Sequence, residues 1–95
     1  MVLQYVVDLA TASRRHPRLR LGISPRAALH LVRAARAHAA LAGRGHVLPD
    51  DIQRLAVPVL AHRVILSSDA QLAHETADEV IADILAGVPV PAGVR

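Results

Sequence analysis

Ninety-five residues carrying a formal charge of +3 and no cysteine make one small domain without disulfides or thiolate metal sites. Tyr5 is the only aromatic residue and eighteen residues are alanine, so the core must be built from Leu, Val, Ile and Ala, and the composition favours helix. No apolar run reaches the ~20 residues that cross a bilayer, which excludes a membrane partner of that kind.

The first helix is predicted over Val2 to His16. Leu3, Val6, Val7 and Ala10 follow the three-four spacing of one face, and Tyr5, Leu9 and Ala12 widen it. Met1-Val2-Leu3 lacks the basic flank and cleavage site of a signal peptide, and the chain opens directly into an apolar helical pattern, as an excised fragment would. Arg14-Arg15-His16-Pro17 ends the helix, because basic groups suit a helix C-terminus and the residue before proline is pushed off helical angles. Arg18 to Ile23 reads as a loop whose Leu19, Leu21 and Ile23 tuck back onto the core.

A second helix is predicted from Pro25 to about Ala42. Ser24 is a good N-cap and Pro25 suits the first helical position, where its missing N–H costs nothing. Ala28, Leu31, Val32, Ala35, Ala39 and Ala42 keep the helical period, and Gly43 is placed as the C′ glycine. Arg26 falls in the first turn, at the positive end of the helix dipole, where a cation costs a few tenths to ~1 kcal/mol. His30 and Arg33 stand four and seven residues on, giving a basic face. A first turn that offers free amides and a guanidinium suits an anion; a solvated surface arginine is the plain alternative.

The third helix starts at Pro49, with Asp50 and Asp51 complementing its dipole and Ile52, Leu55, Ala56, Val59 and Leu60 forming the stripe. Pro58 predicts a kink or a break. Arg63-Val64-Ile65-Leu66 is β-branched and extended in character, and Ser67 to Glu75 reads as a polar loop. Thr76 and Glu79 fit a capping box ahead of the amphipathic face Ala77, Val80, Ile81, Ile84 and Leu85. Gly87 ends that helix, and Val88-Pro89-Val90-Pro91 forms an extended tail. The expectation is an all-α fold of about four helices, with a short extended segment near Arg63–Leu66.

No Walker-type phosphate loop and no HExxH pair occur. The six histidines form no metal-ligand cluster, and no Ser-His-acid set follows from spacing, so the isolated chain is not expected to be an enzyme. What remains is Arg26. One charge-assisted hydrogen bond contributes ~1.5–3 kcal/mol, whereas millimolar affinity needs about 4 kcal/mol. Arg26 could assist a phosphate site built by another domain but could not bind nucleotide unaided.

The ordered stretches Tyr5-Val6-Val7-Asp8-Leu9, His16-Pro17, Leu21-Gly22-Ile23-Ser24-Pro25-Arg26-Ala27, Leu31-Val32-Arg33-Ala34-Ala35-Arg36-Ala37, Pro49-Asp50-Asp51-Ile52 and Val59-Leu60-Ala61-His62-Arg63-Val64-Ile65-Leu66 resemble the C-terminal helical lid of MoxR-type AAA+ ATPases from Tyr5 through Pro91. The resemblance implies a bundle that packs on an α/β ATPase core absent from this sequence, with residues 1–91 as the lid domain and 92–95 as a tail. It implies that Arg26 is the sensor-2 arginine, acting with Ser24 and Pro25 at the nucleotide. ATP and Mg would belong to the intact protein, with none tightly bound here. The implied partners are the core domain, neighbouring subunits of a ring and a von Willebrand factor A domain protein, in a cytoplasmic, chaperone-like ATPase. His62-Arg63 matches a family-like pair and reads as structural or interfacial. Leu48 departs from the pattern, since relatives commonly carry a hydroxyl N-cap before that proline.

Two rival readings stand beside this one. Arg14, Arg15, Arg18 and Arg20, with Arg26, Arg33 and Arg36, would suit a nucleic-acid-binding module, but the low net charge and the lack of stacking aromatics weigh against it. The apolar tail and alanine-rich faces would suit a stand-alone protein-interaction bundle.

Overall fold

The computed structural model describes residues 2–91, so Met1 and the 92–95 tail lie outside the described residues. Five α-helices and a two-stranded sheet follow in order: α1 (Val2–Arg15), β1 (Leu19–Leu21), α2 (Pro25–Leu41), α3 (Pro49–Leu60), a 3-10 turn (Ala61–Arg63), β2 (Ile65–Leu66), α4 (Ser68–Leu72) and α5 (Ala77–Gly87). No helix among the described residues is long and apolar enough to cross a membrane.

The core is aliphatic, as the composition requires. Leu9, Leu31, Ile52, Leu60, Val80 and Ile81 are fully enclosed, and Tyr5 is the one aromatic among them. Helices α2 and α3 share the most extensive contact in the bundle. Each turns alanines into the core, Ala35 and Ala39 on α2 and Ala56 on α3, and small side chains allow close axial approach.

Helix α2 has the predicted boundaries. Ser24 Oγ accepts from the Ala27 amide at 3.1 Å, Pro25 occupies the first turn, and Gly43 adopts φ +78°. The Gly43 amide bonds the Ala40 carbonyl and the Arg44 amide the Ala39 carbonyl, which is the Schellman pattern of a glycine-terminated helix. At α5, Thr76 Oγ1 accepts from the Glu79 amide at 3.2 Å and the Glu79 carboxylate from the Thr76 amide at 2.9 Å, closing the capping box.

Four expectations need correction. The buried side of α1 is Tyr5, Val6, Leu9, Ala10 and Ser13; Leu3 and Val7 face outward. Leu19 and Ile23 tuck in, but Leu21 is exposed: Leu19–Leu21 is a strand antiparallel to Ile65–Leu66, and an irregularity in its register, with Leu19 opposite Leu66 and Leu21 opposite the adjacent Ile65, keeps the two leucines from sharing one face. The break offered at Pro58 does not occur: α3 runs unbroken through it, and the 3-10 turn begins only after Leu60. The lost proline N–H matters little so close to a helix end. The polar stretch after Leu66 contains a short helix, α4, capped by Ser67 Oγ on the Ala70 amide and pinned by buried Ala70. His74, with φ +58°, turns the chain toward α5.

The ends of the bundle are tied by side chains. His16 Nδ1 accepts from the Arg18 amide at 3.2 Å, so Nε2 carries the hydrogen and donates to the Asp83 carboxylate at 2.8 Å. Arg18 donates to Glu75 and, at 3.0 Å, to Asp83. These bonds hold α5 against the end of α1.

Candidate functional site

The start of α2 is placed by the chain just before it. Ser13, buried at the end of α1, donates its hydroxyl to the Ala10 carbonyl at 2.6 Å and accepts from the Ile23 amide at 2.8 Å. Gly22 lies so close to α1 that a Cβ there would stand 2.8 Å from the Ser13 carbonyl carbon and 2.9 Å from the Arg14 amide nitrogen. The approach to Ser24 is thus fixed to α1 by one hydroxyl and one missing side chain.

Ser24, Pro25 and Arg26 are all exposed at this end of the helix. Among the described residues Arg26 forms no ion pair. The first turn offers less than its sequence suggests. Pro25 has no N–H, the Ala27 amide is taken by Ser24 Oγ and the Ala28 amide by the Ser24 carbonyl at 2.9 Å. Arg26 alone keeps an amide without a partner among the described residues. An anion here would meet one backbone donor and one guanidinium from the same residue, a weaker cradle than a helix N-terminus with several free amides. His30 and Arg33 continue along the helix, Arg33 exposed and His30 half-buried.

Arg18 is withdrawn from the basic cluster of Arg14, Arg15, Arg18 and Arg20 by Glu75 and Asp83. His62 is exposed, and Arg63 Nε donates to the Val59 carbonyl at 3.1 Å. Among the described residues no group of three or more His, Asp or Glu side chains could hold a metal ion.

Asp51 is the charged group that the sequence leaves undervalued. It reads as a dipole partner for α3, yet it is fully buried and accepts four hydrogen bonds. Arg44 binds both oxygens at 2.7 Å, the Leu48 amide donates at 2.7 Å and His38 Nδ1 at 2.9 Å. The bidentate Arg44 guanidinium, assisted by the Leu48 amide and His38, holds its carboxyl well below the usual carboxylate range, against the opposing effect of burial. This also resolves the missing cap of α3. Leu48 has no side-chain acceptor, and Asp51 supplies the return half of the box by binding the Leu48 amide. The signal that could have exposed it is the Gly43-Arg44-Gly45 turn, whose Schellman geometry places Arg44 directly beyond α2.

The AAA lid domain family model matches residues 11–84. The Protein MoxR of Paracoccus denitrificans is 47% identical over 75 residues, which cover 78% of this chain and 22% of that protein. The Chaperone MoxR1 of Mycobacterium tuberculosis is 35% identical over 100 residues, covering 95% of this chain and 26% of that one. A crystal structure of a protein from Cytophaga hutchinsonii superposes with a TM-score of 0.85 at 31% identity, over 94% of this chain and 30% of the other. The chain therefore spans about a quarter of the length of the curated relatives it matches. Its helical bundle, the ordered match through both ends of α2 and these relatives agree: the chain belongs to the AAA lid domain family, in its MoxR-like form.

Proposed function

We propose that the chain, with residues 1–91 as the lid domain, closes over ATP held by an α/β ATPase core outside this sequence. Arg26 reaches the terminal phosphate in the sensor-2 role, on a turn shaped by Ser24 and Pro25. The observation that carries the reading is a guanidinium without an acidic partner among the described residues, exposed in the first turn of a lid-family helix. A cation at that position weakens the helix slightly, which is consistent with a ligand outside the lid.

The available donors set the division of labour. A charged hydrogen bond of ~1.5–3 kcal/mol and one amide of ~0.5–1.5 kcal/mol total about what millimolar binding requires. The lid alone would then hold nucleotide no better than about millimolar, and the core must supply most of the affinity. Magnesium, too, would be held by the core, since the described residues of the lid offer no cluster of metal ligands. The intact protein would be a cytoplasmic, chaperone-like ATPase assembling as a ring and working beside a von Willebrand factor A domain protein. The name of the mycobacterial relative supports the chaperone part of this reading.

Arg26→Ala in the full-length ATPase is expected to cut ATP turnover by ~10- to 100-fold, the rate equivalent of one charged hydrogen bond. Arg26→Lys should recover only part of that, because an ammonium lacks the bidentate fork. Melting of the lid should stay unchanged or rise slightly, as a cation leaves the positive end of α2. Turnover within twofold of the parent would overturn the role assigned to Arg26.

A further inference from the structure

Ser13 and Asp51 are the two fully buried polar side chains among the described residues. A hydroxyl taken out of water costs free energy unless its hydrogen and a lone pair are both used. Ser13 uses both: Oγ donates to the Ala10 carbonyl at 2.6 Å and accepts from the Ile23 amide at 2.8 Å. The bond to Ala10 fixes the rotation of the hydroxyl, and so aims its lone pairs at the incoming chain. Ile23 is itself buried, so without the hydroxyl its amide would have to shift to find another acceptor.

The chain from that amide to Arg26 has little freedom. Ser24 precedes a proline, which confines it to extended angles. It sits at φ −76° and ψ 161°, with its Oγ on the Ala27 amide at 3.1 Å. The Pro25 ring then locks its own φ. On the other side of Ile23, Gly22 lies against the Ser13 and Arg14 backbone too closely for a Cβ. A displacement at Ile23 therefore passes to Arg26 through two restricted residues. Arg26 makes no ion pair among the described residues, so the backbone sets where its guanidinium stands. Ala27 and Leu31 are buried and hold α2 to the core, so loss of the hydroxyl shifts the first turn without releasing the helix.

We propose that Ser13 is a positioning residue for Arg26: its hydroxyl, through the Ile23 amide, sets the place of the first turn of α2 and with it the aim of the guanidinium at the phosphate. This rests on the role proposed above for Arg26. A misplacement of ~1 Å far from the chemistry can cost ~100-fold in rate. A shift restrained by Ala27 and Leu31 costs less, ~3- to 10-fold on the same scale. The core supplies most of the nucleotide affinity, so the loss falls on kcat and leaves KM for ATP nearly unchanged.

Ser13→Ala, Arg26→Ala and the double variant are compared in the full-length ATPase by steady-state turnover, each below its own melting transition. Ser13→Ala should lower kcat by ~3- to 10-fold and keep KM for ATP within ~2-fold of the parent. Added to Arg26→Ala, it should lower kcat by less than ~2-fold more, because the aim of an absent guanidinium no longer matters. Losses that multiply in the double variant would make Ser13 a structural residue only and overturn the proposal. If Ser13→Ala does not fold, Ser13→Cys, whose thiol is a weak donor and acceptor, takes its place in the same cycle. Reduced turnover of Arg26→Ala beside normal turnover of the Ser13 variant would overturn the positioning role alone. Normal turnover of Arg26→Ala would overturn the phosphate role and the positioning role together.

Discussion

Asp51→Ala is expected to lower the melting temperature of the domain by more than ~12 °C. The carboxylate is fully buried and receives Arg44, His38 and the Leu48 amide, so its removal strands three sets of donors at the α2–α3 turn. Breaking a buried charge pair by deleting one partner costs about 3–5 kcal/mol, against a total of ~5–14 kcal/mol for a domain of this size. Each kcal/mol moves the midpoint of such a domain by ~4–8 °C. Thermal unfolding followed by circular dichroism measures it directly. Arg44→Ala combined with Asp51→Ala should cost less than the sum of the two alone, since each single variant already destroys the same pair. A shift below ~3 °C for Asp51→Ala would show that the ion pair does not hold the turn.

The same carboxylate sets an acid limit on stability. Its carboxyl titrates below the usual range when folded, so the native state binds its proton less readily than the unfolded chain. The stabilisation is complete above the ordinary aspartate value of ~3.9 and is lost as pH falls below it. Asp83, held low first by His16 and then Arg18, and Glu79, held low by Thr76, act in the same direction. The parent should therefore lose melting temperature steeply between pH ~4 and ~2, and Asp51→Ala should lose less over that interval. Parallel curves for the two proteins would contradict the assignment.

Gly22→Ala carries the second large effect. A methyl group there would stand 2.8 Å from the Ser13 carbonyl carbon and from Ser13 Oγ, and 2.9 Å from the Arg14 nitrogen. Two of these atoms are backbone of α1 and cannot rotate away. Overpacking of this kind costs ~1–3 kcal/mol, and separating the segments also breaks the Ser13–Ile23 bond. The expected loss is ~5–20 °C, read by the same melting experiment. A midpoint within ~1 °C of the parent would show that the close approach is not a native contact.

Helix limits are legible in this sequence where a residue of special backbone chemistry marks them. Ser24-Pro25 and Gly43 bound α2, and Thr76 with Glu79 opens α5. Rotation is less legible. Leu3 and Val7 are as hydrophobic as Tyr5 and Leu9, so periodicity alone cannot decide which side of α1 faces the core, and the choice is made by how α2 and α5 dock. Helix α4 is five residues long with one buried side chain, too short to show a period. Asp51 is misjudged for another reason: its partners lie seven and thirteen residues away, across a reversal of the chain. At the candidate site the position of Arg26 in the first turn follows from Ser24-Pro25, but the number of amides beside it depends on bonds formed only on folding.

Ser13 gives α1 and α2 a shared fate. Its hydroxyl joins the end of one helix to the approach of the other, so a tilt of α2 would pull on the end of α1. Helix α2 has 17 residues and is ~25 Å long at 1.5 Å per residue. Pivoting it by about 5° at the Gly43 end would carry its far tip ~2 Å, on the scale that makes or breaks a hydrogen bond. In the role proposed for Arg26, a slight rocking of this helix, with no rotamer change and no melting, would be enough to engage or withdraw the guanidinium.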